Sequence, residues 1–323
     1  MRHSGTVVAA AFALAWAAGP TNAQQAVPKT DRLNPLIVLH EAGKPVFGLY
    51  APSAGGGGRG GSPPPPATTP ADRAAETMGY SLSDFIFDGS MERSVDGGLA
   101  GFTEYASALR RAGANAHTHP LTAKTAKISD DPELAKREIA RQLDTGVSGI
   151  VFVDVESADE LRTGLNAMRF AAHGGTRPDA VGSAPSYWGL SEGDYRARAD
   201  LWPLNVEGEL VSWVIVESHE GLANVREIAA VPGISVLFPG AGTLRGLFTS
   251  TNADGERVLD TQGWENAIQK VLAACKEFDV PCGYPANASD IEMRMQQGFS
   301  VFIMGWGQPG FDAIEIGRKA AGR

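Results

Sequence analysis

Apolar residues gather along the chain in short runs that alternate with segments of helical spacing. Residues 45–50, 85–87, 121–128, 150–155, 213–216, 234–238, 280–284 and 299–304 form eight apolar, β-rich runs. Ile150-Val151-Phe152-Val153 is continuously apolar rather than alternating, as expected of a strand covered on both faces. Between and after the runs, segments such as 99–111, 132–143, 158–170, 222–231, 263–278, 288–297 and 311–321 read as helices. Leu222, Val225, Ile228 and Ala229 repeat on one helix face, and so do Trp264, Ile268, Val271, Leu272 and Cys275. Strand followed by helix, eight times over, predicts an α/β chain folded as a (β/α)8 TIM barrel, with a doubly wound open sheet as the competitor.

In such a barrel the chemistry lies at the C-terminal ends of the strands. The pattern places there Asp88-Gly89-Ser90, Lys124 with Lys127, Glu156, Glu217-Ser218-His219, Pro239-Gly240-Ala241-Gly242-Thr243, Pro285-Ala286-Asn287 and Gly305-Trp306-Gly307. Carboxylates among glycine-opened loops suit a divalent cation and an oxyanion. His117 and His119 precede the third strand and therefore belong to the opposite end. Asp154 reads equally as an inward-pointing carboxylate or a buried structural one.

The ends and interruptions divide the chain further. Met1-Arg2-His3, an apolar run at 7–18 and Thr21-Asn22-Ala23 read as a signal peptide over 1–23, implying a periplasmic or secreted protein. Residues 24–44 are an N-terminal lead-in and 45–323 a single barrel domain, carrying a low-complexity Gly/Pro insertion at 53–70 and an aromatic excursion at 171–210. That excursion is a candidate lid or subunit contact. A net charge of −9 argues against nucleic acid and anionic membrane surfaces as partners and for a small molecule. The two cysteines, Cys275 and Cys282, read as core thiols, with a disulfide as the alternative that an oxidising compartment permits.

The stretch Val214-Ile215-Val216-Glu217-Ser218, the helix from Gly221 to Val231, and Pro232-Gly233-Ile234-Ser235-Val236-Leu237-Phe238 resembles the HpcH/HpaI aldolase and citrate lyase family. Residues 149–158, Gly175-Thr176-Arg177 and the helix around Val271-Leu272-Ala273-Ala274-Cys275-Lys276 extend the resemblance. It implies a barrel that makes or breaks C–C bonds beside a pyruvate-type enolate held on Mg²⁺ or Mn²⁺, as in metal-dependent cleavage of a 4-hydroxy-2-oxo acid, and it implies a homo-oligomer. By the same resemblance Glu217 is the metal-ligating glutamate and Asp88 and Lys124 are catalytic. Arg177, Gly240, Gly242 and Thr243 are the expected contacts for a small anionic substrate, and Trp306, with Trp188, is a candidate stacking wall for it, with simple packing as the alternative.

The departures from the family pattern bear on the chemistry. Gly240-Ala241-Gly242-Thr243-Leu244 carries Thr243 where the family has a second metal carboxylate, which weakens a cation site. Asp88-Gly89-Ser90-Met91-Glu92-Arg93 lacks the family's catalytic histidine, leaving His219 as the candidate proton carrier. Lys124 stands in place of an arginine. A barrel that binds an anion without turnover, and a metal-dependent hydrolase, are the alternative functions.

Overall fold

The computed structural model describes Met1, residues 31–55 and residues 68–323. The signal-peptide reading and most of the Gly/Pro tract lie outside these residues. Each of the eight sequence-predicted runs contains a strand: β1 (Val46–Tyr50), β2 (Phe85–Asp88), β3 (Leu121–Lys124), β4 (Gly149–Phe152), β5 (Leu210–Val216), β6 (Val236–Pro239), β7 (Gly283–Pro285) and β8 (Val301–Met304). All pair in parallel, β1 through β6 in sequence order, with β8 lying between β7 and β1. The remaining seam closes by a parallel bridge between Leu237 and Cys282, with the Leu237 amide donating to the Pro281 carbonyl at 3.0 Å. An open doubly wound sheet would have two free edges at this seam; the bridge makes a barrel.

Alternation along the strands sorts side chains into two cores. Phe85 and Phe87 of β2, and Val211, Trp213 and Ile215 of β5, point into the barrel, while Ile86, Val214 and Val216 pack against the helical layer. Trp213 fills the interior, edge-on to Phe85 at 4.8 Å and tilted against Phe238 at 5.5 Å between ring centres. Gly48 leaves the space that the Phe85 ring occupies, since a Cβ there would overlap it. The helix Pro35–Glu41, inside the segment read as a lead-in, contributes Leu36 and Ile37 to this same inner core.

Local chemistry explains where the outer helices begin. Ser94, Asp131, Ser157 and Asp260 each accept a backbone N–H of the first turn that follows, and Thr69 with Asp72 forms a reciprocal capping box at Pro70–Met78. The expected helix at 222–231 is instead two short ones, His219–Ala223 and Val225–Ala229, broken at Asn224, whose side-chain amide donates to the Glu156 carbonyl at 2.8 Å. The third run stops as a strand at Lys124, and Lys127 belongs to the loop beyond it.

The aromatic excursion packs at the end of the barrel opposite the expected mouth. Trp188 donates to the Gly146 carbonyl at 3.0 Å, and Tyr187 to the His119 carbonyl at 2.8 Å, both in segments that lead into strands. It is therefore no lid over the C-terminal face. The cysteines are buried but bonded to each other, with Cα atoms 5.6 Å apart. The helix Thr261–Glu277 ends just after Cys275, and a reversal through Asp279 at φ 53° returns the chain so that Cys282 lies beside it. This crosslink adjoins the seam bridge. Replacing both cysteines with alanine should cost about 2.5 kcal/mol, the loop-closure value for so short a loop. Urea unfolding with and without reductant measures it, and wild-type protein in reductant should shift alongside the double variant.

Candidate active site

At the C-terminal face, a cavity of about 450 Å³ opens between β1, β2, β3, β5, β6, β7 and β8. Phe87, Ile215, Phe238 and Ile303 make its floor, and the same four residues belong to the inner core. Glu217, immediately after β5, sits in its wall with 8% of its surface exposed. Burial pushes the Glu217 carboxyl above the usual carboxylate range, against a hydrogen bond with Thr243 and the nearby charge of Lys124. Gly240 makes this position attainable: a Cβ there would overlap the Cβ and Oε2 of Glu217. Gly242, by contrast, faces open space.

The cavity's cationic groups are Lys124 and Arg245. Lys124 Nζ lies 2.9 Å from Glu92 Oε1, and the Arg245 guanidinium stands 5.8 Å from the centre of the Trp264 ring. Trp264 is fixed in turn by donating to the Ala241 carbonyl at 2.9 Å. Tyr50 closes the β1 side, and burial raises its hydroxyl's pKa while Lys124 opposes the shift. Just beyond Lys124, Lys127 is gripped by Asp154 at 2.7 Å and Glu156 at 2.8 Å. Burial works against the Lys127 charge, but these two carboxylates hold it above the usual lysine range.

Glu217, Lys124, Gly240, Gly242 and Thr243 thus converge on one cavity, as the barrel pattern expects. Asp88 lines an adjoining one of about 520 Å³, with Tyr50 and Phe87 shared between the two. It is 3% exposed and engaged, accepting from the Ser90 amide at 2.8 Å and standing 3.7 Å from Arg73. Three expected site residues lie elsewhere. His219 is exposed at the first turn of its helix and meets Phe248 in a separate groove with Lys270. Trp306 packs on Phe311 and Tyr80 and does not line the cavity.

Arg177 is buried beneath the excursion, 3.0 Å from Asp144 and 3.2 Å from the Tyr195 hydroxyl, with its guanidinium over the Phe170 ring. Its role there is structural, because Asp144 precedes β4 at the far end of the barrel. Arg245, Trp264, Asp290 and Tyr50 are among the cavity residues that the sequence reading missed. Tyr50 had a signal, as the last residue of an apolar run that ends at the active face.

The carboxylates do not assemble a cage for a divalent cation. Asp154 and Glu156 are claimed by Lys127, Asp88 by Ser90 and Arg73, and Asp290 by the backbone and side-chain amides of Asn287. Glu217 has the Thr243 hydroxyl and the Lys124 ammonium as its neutral and cationic neighbours, with the charges of Glu92 and Asp154 farther out. Among the described residues no three histidine, cysteine, aspartate or glutamate side chains are placed to hold a metal. Hard dications want several oxygen ligands and net negative charge. This donor set does not fit one.

The sequence profile of the HpcH/HpaI aldolase/citrate lyase family matches residues 114–305. Among curated proteins, a 2-dehydro-3,6-dideoxy-6-sulfogluconate aldolase of Pseudomonas putida is 27% identical over 53% of this chain and 61% of its own length. A hydroxypyruvate/pyruvate aldolase of Paraburkholderia phytofirmans is 28% identical over 50% of this chain and 58% of its own length. The chain thus spans about three-fifths of the length of these relatives. A solved HpcH/HpaI aldolase/citrate lyase family protein of Burkholderia cenocepacia shares the fold, with a TM-score of 0.57 and 21% identity across 81% of this chain and 88% of that one.

Two substitutions check these placements. Gly240→Ala should cost about 1–3 kcal/mol by forcing Glu217 aside, while Gly242→Ala leaves the melting temperature unchanged. Arg177→Met should cost about 3 kcal/mol by stranding the carboxylate of Asp144, as read from urea denaturation.

Proposed function

This chain belongs to the HpcH/HpaI aldolase/citrate lyase family, and from that premise we propose that it is a carbon–carbon lyase of aldolase type, releasing pyruvate or a close 2-oxo acid from a 4-hydroxy-2-oxo acid. The observation that carries the reading is Glu217, a buried carboxyl with a raised pKa over an apolar floor, facing the cationic groups of Lys124 and Arg245 in one cavity. Arg245 draws in the substrate carboxylate. When the C3–C4 bond breaks, its electron pair passes toward the 2-oxo group and the C4 hydroxyl must lose its proton. Glu217 is the group at hand to take that proton and return it to C3, and a carboxylate of raised pKa is the better base for it.

Family members generally depend on a divalent cation. The carboxylates around Glu217 give Mg²⁺ or Mn²⁺ too few ligands, so no step of the proposed reaction passes through one. The N-terminal signal pattern supports action in the periplasm or outside the cell, and the Cys275–Cys282 bond suits an oxidising compartment. Assembly as a homo-oligomer is part of the same proposal.

Pyruvate release from a panel of 4-hydroxy-2-oxo acids tests the function directly. At least one substrate should turn over, and Glu217→Gln should lower kcat by about 10²–10⁴-fold. Tight binding of 2-oxo acids with no turnover across the panel would make the chain a binding protein instead.

A further inference from the structure

The mouth of the barrel holds two cavities, of which the proposed cleavage uses one. Resting on the lyase reading, we propose that the second is a subsite for the substrate beyond C4, and that the tail it takes is an uncharged, hydroxylated chain that leaves as a hydroxyaldehyde.

Position is the first support. Arg245, on the helix Ala241–Leu247 after β6, receives the 2-oxo acid end in this reading. On that side Asp290 is already engaged, accepting from the backbone and side-chain amides of Asn287 at 2.8 and 3.1 Å. In a ring of eight strands β2 lies opposite β6, and the second cavity opens there, beside Asp88 at the end of β2 and Tyr50 at the end of β1. A substrate extended from Arg245 across the mouth therefore runs toward it. The divide it meets is made by side chains. Tyr50 and Phe87 line both cavities, edge to face at 4.8 Å between ring centres. The Lys124–Glu92 pair spans the divide at 2.9 Å, with Lys124 in the wall of the first cavity and Glu92 in that of the second.

The polar groups of the second cavity set its chemistry. Arg73, on the helix Pro70–Met78, is 8% exposed and fixed from behind: its Nε donates to the Pro52 carbonyl at 2.7 Å, and its guanidinium lies 4.3 Å from the centre of the Tyr105 ring. Among the described residues its two Nη groups make no hydrogen bond, and the Asp88 carboxylate stands off at 3.7 Å. Buried N–H groups without acceptors are costly, so a ligand oxygen would complete them. Around the same space the cations Arg73 and Lys124 are balanced by Asp88 and Glu92. With charge cancelled and donors set beside acceptors, the lining suits hydroxyl groups, which do both, better than a second anion.

Room for such a tail comes from the helix Val95–Arg111, which turns Gly97, Gly98 and Gly101 to the cavity. Gly98 has a packing reason, because a Cβ there would strike the Ser90 carbonyl. Gly101 meets nothing within 4 Å, although glycine weakens a helix interior relative to alanine. What Gly101 contributes is space.

Pyruvate release tests the subsite on the full chain, with Mg²⁺ and with chelator. The substrates are 4-hydroxy-2-oxo acids that share their first four carbons and carry no tail, an alkyl tail, a dihydroxylated tail of the same length, or a carboxylate-ended tail. The dihydroxylated tail should exceed the alkyl tail in kcat/KM by on the order of 10²-fold. Arg73→Met, and Gly101→Leu, which fills the cavity from an uncrowded helix position and so covers the case in which Arg73→Met fails to fold, should each bring that ratio to within about threefold of one. Cleavage without preference among tails, a preference for the carboxylate-ended tail, or a preference untouched by Gly101→Leu would overturn the subsite and leave the lyase reading intact. If no acid is cleaved, calorimetry on the same set decides. Tighter binding of the dihydroxylated tail, lost in Gly101→Leu, would uphold the subsite and overturn the lyase, and equal binding of all tails would overturn both.

Discussion

The packing of Trp213 inside the barrel is the contact on which the site depends. Its ring meets Phe85, Phe87 and Phe238 from neighbouring strands and fills space that eight strands would otherwise leave empty. The upper layer of that packed interior is also the floor of the cavity, so dispersion and hydrophobic burial in the core set the depth to which a substrate can sink. With Leu36 and Ile37 in the same cluster, the interior below that floor is packed with side chains. The carboxyl of Glu217 is held at that boundary, where it is dry enough for its proton affinity to rise.

Charge at the mouth is sorted by pairing rather than by sign alone. Lys127 consumes Asp154 and Glu156, and Arg73 stands by Asp88. What faces the cavity is then Glu217 and Asp290 with Lys124 and Arg245. The resemblance reading, with Thr243 where a second carboxylate is expected and no histidine in Asp88-Gly89-Ser90-Met91-Glu92-Arg93, points the same way.

Much of the barrel is legible in the chain because its determinants are local. Runs such as 150–155 and 234–238 are apolar on both faces, and Asp131 followed by Pro132 announces a helix start by its own capping chemistry. Glu217 is legible for a related reason: its distance from the end of β5 decides its height in the barrel. Arg177 is not, because the end of the barrel to which the excursion returns depends on Trp188 and Tyr187 finding Gly146 and His119, contacts between segments far apart in sequence. His219 fails by rotation. As the first residue of a helix it turns outward toward Phe248, although Glu217 two positions earlier turns in. The cysteine pair was hidden by a reversal at Asp279 that no periodicity reports.

One small clasp has a wider consequence. The Thr68 amide donates to the Ala54 carbonyl at 3.1 Å, so the two ends of the Gly/Pro tract meet at the active face just after β1. Closing a longer loop across that point costs only about 0.6 kcal/mol for each doubling of its length. The chain therefore has, at the rim of its C-terminal face, a place where sequence can be lost, gained or exchanged with little penalty to folding. A barrel with such a graft site can alter what reaches its cavity without rebuilding the walls.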